Sequence, residues 1–195
     1  LFPYTTLFRS IYIYIYLYVY VYVYVYVMWC GAIVLPTLLY GSETWKSLAR
    51  QVRMLEAFHQ RSLRRLLKIR WWHHITNTEV LARAKCTTIE TMIRSNRLRW
   101  LGHVCRMKND RIPKQLLFSE LAHGTRSRGR PKKRWKDCAK DDLKLFGMED
   151  NWHAMTADRA TWRSKIRSGI IIAENKLQQR REKRRERRHR VTDHL

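Results

Sequence analysis

Apolar residues recur at intervals of three and four along most of the chain that follows Trp45, which is the spacing of an amphipathic helix. Basic residues occupy many of the positions between them, so one face is expected to pack while the opposite face carries charge. The first such segment predicts a helix of about six or seven turns. Its inward positions are Leu48, Val52, Leu55, Phe58, Leu63, Leu66 and Ile69. The whole pattern predicts a mainly α fold, a bundle-like module of helices joined by short loops.

Residues that favour the first turn of a helix indicate where the next helices of this module begin. Thr76-Asn-Thr-Glu79 has the form of a capping box, in which Thr76 caps the helix and Glu79 reaches back to it. This box is expected to open a short helix through Ala84. Thr88 is expected to cap the next helix, which continues to Met107.

Three further helices are predicted toward the C terminus. Pro113 begins a short one that runs to Leu121. Pro131 suits the first turn of the second, where its missing N–H costs nothing, and Gly147 ends that helix. The third covers Trp152 to Ile166. The inward residues are Trp135, Ala139, Leu143 and Phe146 in the second helix, and Ala154, Ala157, Trp162 and Ile166 in the third.

One apolar run departs from the helical spacing. Ala32 to Tyr40 is rich in aliphatic and β-branched residues and is closed by Gly41. This composition predicts one short buried strand near residue 35, which Pro36 confines to a sheet edge or a bulge.

Residues 1–30 read as translated artefact. Leu1 to Ser10 back-translates to a sequencing-library adapter, and Ile11 to Val27 alternates aliphatic residues with tyrosine as a translated dinucleotide microsatellite would. As protein, the alternation predicts a low-complexity strand or a disordered segment. Hydropathy flags residues 11–35 as a membrane span, but tyrosines spread along the segment argue against one, and no genuine span is expected.

Charge points to the class of partner. The 195 residues carry a net charge of +24, so RNA or DNA is expected as the partner. Residues 176–190 are nearly all Arg, Lys, Glu and Gln, which predicts a basic tail that is either helical or disordered. The four cysteines form no Cys-x-x-Cys pair, so neither a disulfide framework nor a zinc ribbon is indicated, and an intracellular location is expected.

The candidate nucleic-acid contacts cluster between residues 97 and 134. Basic residues there alternate with apolar ones on a predicted helix or follow one another in a loop interrupted by Gly129 and Pro131. The predicted phosphate-contacting residues are Arg97, Arg99, Arg106, Arg128, Arg130, Lys132, Lys133 and Arg134. Trp71 and Trp72, in an aromatic break between helices, are candidates for stacking on bases. No metal site and no catalytic residue are predicted.

Six sequence blocks occur in one order and carry a family resemblance. They are Leu38-Leu-Tyr-Gly-Ser-Glu-Thr-Trp45, Leu63-Arg-Arg-Leu66, Ile75-Thr-Asn-Thr-Glu79, Arg97-Leu-Arg-Trp-Leu-Gly-His-Val104, Arg128-Gly-Arg-Pro-Lys-Lys-Arg-Trp-Lys-Asp137 and Asp158-Arg-Ala-Thr-Trp-Arg163. The set resembles the C-terminal part of reverse transcriptases from LINE-type non-LTR retrotransposons, often labelled endonuclease-reverse transcriptase or craniofacial development protein 2-like. The resemblance covers about Ala32 to Ile166.

The resemblance implies a domain layout. Residues 31–44 would be the end-of-palm strand and turn, 45–168 the helical thumb and C-terminal extension, and 169–195 the basic tail. The family's polymerase centre, whose aspartates hold magnesium, would precede Ala32. Asp141 and Asp142 lie in a predicted helix and not on a hairpin, so we interpret both as surface residues. The chain is therefore expected to be no enzyme by itself and to need no cofactor.

Two alternatives stay open at the level of sequence. Arg128-Gly-Arg-Pro131 resembles an AT-hook core, which inserts in an A·T minor groove. The other two interpretations are general contact with phosphates and an exposed loop without a ligand. The chain as a whole is expected to be a truncated reverse transcriptase fragment that binds nucleic acid in the nucleus or cytoplasm. The alternative is a domesticated nucleic-acid-binding or scaffold protein derived from the element.

Overall fold

The protein is described by a computed structural model, which covers residues 28, 30–45, 49–119, 129 and 133–192. The predicted N-terminal repeat, most of the hydropathic segment 11–35 and Pro131 lie outside these residues. The helix predicted to start at Pro131 begins instead at Trp135, because the backbone of Arg134 is extended. The helices are α1 (Leu35–Leu38), α2 (Ala49–Leu66), α3 (Asn77–Arg83), α4 (Ile89–Cys105), α5 (Ile112–Phe118), α6 (Trp135–Phe146), α7 (Trp152–Ala157) and α8 (Arg159–Thr192). The described part of the chain contains no strand, so the prediction of a mainly α fold is confirmed.

The predicted short strand near residue 35 is wrong. Cys30–Val34 forms a π-helical turn that leads directly into α1. Pro36 lies in the first turn of α1, where a missing N–H is tolerated. The Thr37 hydroxyl donates to the carbonyl of Ile33 at 2.7 Å, and the Leu39 N–H donates to the carbonyl of Leu35 at 2.9 Å. The backbone is thus satisfied locally, and β-branched composition alone does not decide the structure.

The chain divides into two compact units. One contains the described residues of Leu1–Tyr40 and Arg50–Cys86, and the other those of Gly41–Ala49 and Thr87–Leu195. The predicted division at residues 44 and 168 stays a prediction about domain organisation.

The first unit has a small core between α2 and α3. Its buried members are Leu63, Ile69, Val80, Leu81 and Ala84. The chain turns back after α2 because Lys68 adopts a left-handed conformation (φ 53°) and the N–H of Ile69 donates to the carbonyl of Arg64 at 2.8 Å. The predicted cap of α3 is confirmed, since the Thr76 hydroxyl accepts the N–H of Glu79 at 3.3 Å.

The second unit packs α4, α6, α7 and α8 around a larger core. The buried members of that core are Leu98, Leu101, Ala139, Leu143, Leu145, Phe146, Met148, Trp162, Ile166, Ala173 and Leu177. Thr88 caps α4 and Gly147 (φ 70°) ends α6, both as predicted. The predicted basic tail is the last part of α8 and is helical to Thr192.

The single helix predicted over residues 152–166 is interrupted at Asp158. Its carboxylate accepts the N–H groups of Thr161 at 2.9 Å and Ala160 at 3.1 Å, which caps a new helix, α8. The Thr161 hydroxyl also donates to this carboxylate. These hydrogen bonds, chiefly the one from the hydroxyl, lower the pKa of Asp158. Trp162 is buried as predicted, whereas Ala154 and Ala157 are exposed and that part of the prediction is wrong.

Trp162 sets the distance between α4 and α8. Its indole N–H donates to the carbonyl of Leu98 at 3.0 Å, and its ring lies against Gly102. A Cβ added at Gly102 would overlap the indole ring. Glycine at this position therefore permits a close approach of the two helices.

We expect Gly102→Ala to destabilise the second unit by about 1 to 3 kcal/mol, because the buried indole cannot move without losing its hydrogen bond. Urea unfolding followed by circular dichroism measures the change. Gly31→Ala is the matched control, since nothing lies within 4 Å of a Cβ added there. Equal stability of the Gly102→Ala protein and the parent would contradict the proposed packing.

Candidate nucleic-acid interface

Arg97 does not lie on the surface. The prediction that it points away from the core is wrong, because its side chain is only 4% exposed and is bound on two sides. One guanidinium nitrogen contacts the Asp142 carboxylate at 2.5 Å, and another donates to the carbonyl of Trp45 at 3.2 Å. Arg97 therefore belongs to the internal packing of the unit and not to a phosphate-binding surface.

Asp142 is buried, so its interpretation as a surface residue is wrong. Its side chain is 0% exposed and is bound by two guanidiniums, those of Arg97 and Arg94, each at 2.5 Å. Burial raises the pKa of the Asp142 carboxyl, and both guanidiniums oppose that rise. Asp142 follows Ala139 by three residues on α6, so it lies on the buried face. This spacing was a usable signal in the sequence.

Asp141, one residue earlier, is in a different environment. It is half exposed and pairs with Lys133, which is also exposed. Only this member of the Asp-Asp pair fits the predicted surface position.

The ion pairs extend from Asp142 toward α8. Arg94 also contacts Glu90 at 2.7 Å, and Glu90 contacts Arg181 at 3.7 Å. A second link joins the N terminus of α4 to α8, since Glu174 accepts from the backbone N–H of Thr88 at 2.8 Å. The polar groups of α4 thus fix the position of α8 as well as that of α6.

The segment Gly41–Trp45 is held by the same elements. The Asn96 side chain donates to the Ser42 hydroxyl at 3.0 Å, and the Trp135 indole donates to the carbonyl of Glu43 at 2.8 Å. Together with the Arg97 bond, these contacts join three of the six sequence blocks. The blocks lie far apart in the sequence but form one packed cluster.

The remaining predicted cations differ in their surroundings. Arg99, Lys133 and Arg134 are exposed. Arg106 is exposed too, although one of its guanidinium nitrogens donates to the carbonyl of Thr156 at 2.8 Å. Arg128, Arg130 and Lys132 lie outside the described residues, so their assignment stays a prediction.

The structure adds a cationic surface that the residue-level prediction missed. The buried face of α8 ends at Leu177, and beyond it the described side chains of the helix are exposed. Residues 178–192 contain eight Arg and Lys residues and two Glu residues, a net charge of +6. The helix therefore carries a solvated, strongly basic end, which we call the basic extension (residues 178–192). The composition of the sequence indicated a basic tail, but it did not indicate that this tail continues a packed helix.

Trp71 and Trp72 are the exposed aromatic pair of the first unit. They lie in the 3-10 turn Trp71–His73, and the two residues are 81% and 52% exposed. The structure therefore leaves both rings accessible to a ligand.

Other chemistry has little support among the described residues. They contain no group of three or more His, Cys, Asp or Glu side chains that could hold a metal ion. Burial raises the pKa of the Cys105 thiol, which lowers its reactivity as a nucleophile. No helix in the described part of the chain is long and apolar enough to cross a membrane.

Comparison with known proteins relates the chain to a mobile element. An uncharacterized transposon-derived protein of Caenorhabditis elegans is 26% identical to it over 144 residues, which cover 70% of this chain and 52% of that protein. The chain thus spans about half the length of the curated relative that it matches. No family model and no solved structure matches. The similarity indicates a transposable-element origin.

We expect Asp142→Ala to destabilise the second unit by about 3 to 5 kcal/mol, because it leaves two guanidiniums without their shared buried carboxylate. Asp141→Ala is the matched control and should cost less than about 1 kcal/mol, as is usual for an exposed ion pair. Urea unfolding of both variants tests the difference. If the two substitutions had equal effects, Asp142 would not be the charge on which this packing depends.

Proposed function

We propose that this chain is the thumb and C-terminal extension of a non-LTR retrotransposon reverse transcriptase, and that it binds nucleic acid without polymerising it. The order of the six blocks and the similarity to a transposon-derived protein support the element of origin. The contacts among Gly41–Trp45, Asn96, Arg97 and Trp135 add to this, because they join three of the blocks in one folded unit.

The basic extension is the observation that carries the binding proposal. Its net charge of +6 lies on a helix that is anchored by a buried stripe ending at Leu177. Anchoring matters because a fixed helix loses less conformational entropy on binding than a free tail. Arg180, Arg184 and Arg187 follow one another at helical spacing, and no ion pair joins them to a carboxylate among the described residues. The proposed ligand is therefore a polyanion with regularly spaced phosphates, DNA or RNA in the nucleus or cytoplasm.

The lack of polymerase activity is proposed from the carboxylates. The single Asp-Asp sequence in the chain is Asp141-Asp142. Asp142 faces two guanidiniums inside the core, and Asp141 pairs with Lys133. Two carboxylates that serve a polymerase must instead converge on shared magnesium ions. The proposed chain needs no cofactor of its own, whereas the parent polymerase would use magnesium.

Replacing Arg180, Arg184 and Arg187 with alanine should weaken binding to duplex DNA and make it less dependent on salt. Each phosphate contact contributes about −0.9 to the log-log slope, so three lost contacts flatten it by roughly two to three units. Fluorescence anisotropy over a salt series gives both values. The matched control replaces the same three residues with lysine, which keeps the charge and should keep the slope. An alanine variant with the parent's affinity and slope would show that the basic extension does not bind phosphate.

Primer extension tests the second part of the proposal. With magnesium, an oligo(dT) primer on a poly(A) template and thymidine triphosphate, the chain should yield no extended product. An active reverse transcriptase in a parallel reaction shows that the assay works. Reproducible primer extension by the purified chain would refute the proposal that it lacks a polymerase centre.

A further inference from the structure

Two exposed indole rings meet at a right angle in the first unit. The ring centroids of Trp71 and Trp72 are 5.7 Å apart, and the ring planes are inclined at 83°. Exposed tryptophan is unusual, because its large apolar surface normally packs in a core. Trp71 is among the most exposed large apolar residues of the described chain, and Trp72 is half exposed. The exposed indole faces are suited to a ligand that stacks on aromatic rings.

The turn that carries the rings is fixed by its own hydrogen bonds. The backbone N–H of Arg70 donates to Nδ1 of His73 at 3.1 Å, and the N–H of His73 returns to the carbonyl of Arg70 at 3.1 Å. His74 closes the turn in a left-handed conformation, with its N–H donating to the carbonyl of Trp71 at 3.3 Å. The two rings are therefore presented in advance by a rigid turn, which lowers the entropic cost of binding.

The base of the turn is tied to α2. A guanidinium nitrogen of Arg64 donates to the carbonyl of Ile75 at 2.7 Å and to the Asn77 side chain at 2.8 Å. These two bonds hold the chain that leaves the turn against the end of α2. The aromatic pair is thus part of the folded unit and not a loose loop.

The surrounding charge selects an anionic ligand. Residues 50–86 contain nine Arg and Lys residues and two Glu residues, a net charge of +7. The Arg70 guanidinium lies over the Trp72 ring, 5.7 Å from its centroid, so a cation sits next to the aromatic surface. Lys68, two residues earlier, is also exposed. A ligand that combines flat aromatic groups with phosphates satisfies both features.

The geometry points to a binding site for single-stranded nucleic acid at Trp71 and Trp72, where an unstacked base lies on one indole face while neighbouring phosphates contact Lys68 and Arg70. This inference rests on the proposed function and specifies the form of the ligand. Bases inside a duplex are stacked on their neighbours, so they offer no free face to an exposed indole ring. A single strand can splay its bases apart, as aromatic recognition of single strands requires.

The two rings are not equivalent. Trp71 is the more exposed, whereas Trp72 has Arg70 over its ring and the centroid of the His73 ring 5.9 Å from its own. Trp71 is therefore the main stacking surface and Trp72 the side wall of the site. The loss of Trp71 should have the larger effect on binding.

The test uses the full chain and three ligands of equal length: oligo(dT), an abasic strand with the same phosphates, and a duplex. The parent should bind oligo(dT) more tightly than the abasic strand. Trp71→Ala should weaken binding to oligo(dT) by roughly five- to hundredfold, the range measured for one stacked base, and Trp72→Ala should weaken it less. Binding to the abasic strand and the duplex should not change.

Two matched variants separate stacking from other uses of an apolar patch. Trp71→Tyr keeps an aromatic face and should retain most of the preference for oligo(dT), whereas Trp71→Leu keeps apolar area and should lose it. If Trp71→Leu bound oligo(dT) as the parent does, the contact would be merely apolar and the inference would be wrong. Circular dichroism of each variant confirms that the exposed substitutions leave the fold intact.

Three other results would overturn the inference in distinguishable ways. Salt-dependent binding with no difference between oligo(dT) and the abasic strand would remove the stacking site and leave the proposed function standing. A Trp71→Ala variant that lost binding only to vesicles of anionic phospholipid would assign the rings to a membrane surface. A parent chain that bound none of the three nucleic acids would refute both the inference and the proposed function.

Discussion

A carboxylate that is removed from water has to be matched by nearby cations, and in the second unit Asp142 is matched by Arg94 and Arg97. This arrangement joins α6 to α4 at a point where apolar contacts alone would leave the register of the helices adjustable. Arg97 transmits the constraint to the segment Gly41–Trp45 through the carbonyl of Trp45. Because each partner is costly to bury alone, the three side chains are expected to be retained or lost together.

Tryptophan side chains add further contacts between elements of the second unit that lie far apart in the sequence. Trp135 donates to the carbonyl of Glu43, and Trp162 donates to that of Leu98 while lying against Gly102. Each of these polar aromatic groups satisfies a backbone carbonyl of a different element. Arg97, which the sequence places in a candidate nucleic-acid-binding stretch, therefore serves instead to hold the second unit together.

The nucleic-acid binding that we propose would use the surfaces that packing leaves exposed. In the second unit these are exposed cations such as Arg99 and the basic extension of α8. In the first unit they are the indole rings of Trp71 and Trp72, which lie in a segment that is rich in basic residues. In the proposed function, the exposed cations would bind phosphates of any strand, and the aromatic rings would bind bases that are free of a duplex.

The sequence by itself determined the helical class, the caps at Thr76 and Thr88 and the end of α6 at Gly147, because capping and periodicity are local and act through neighbouring residues. It also determined the basic character, which is a sum over composition. It did not determine the helical state of residues 30–38, where local hydrogen bonds override β-branched composition. The spacing of Asp142 from Ala139 indicates its helix face in the sequence, but only the tertiary structure decided which charges meet there. Arg97 and Arg99 are alike in the sequence and differ in which of them meets a partner, which depends on residues far away along the chain.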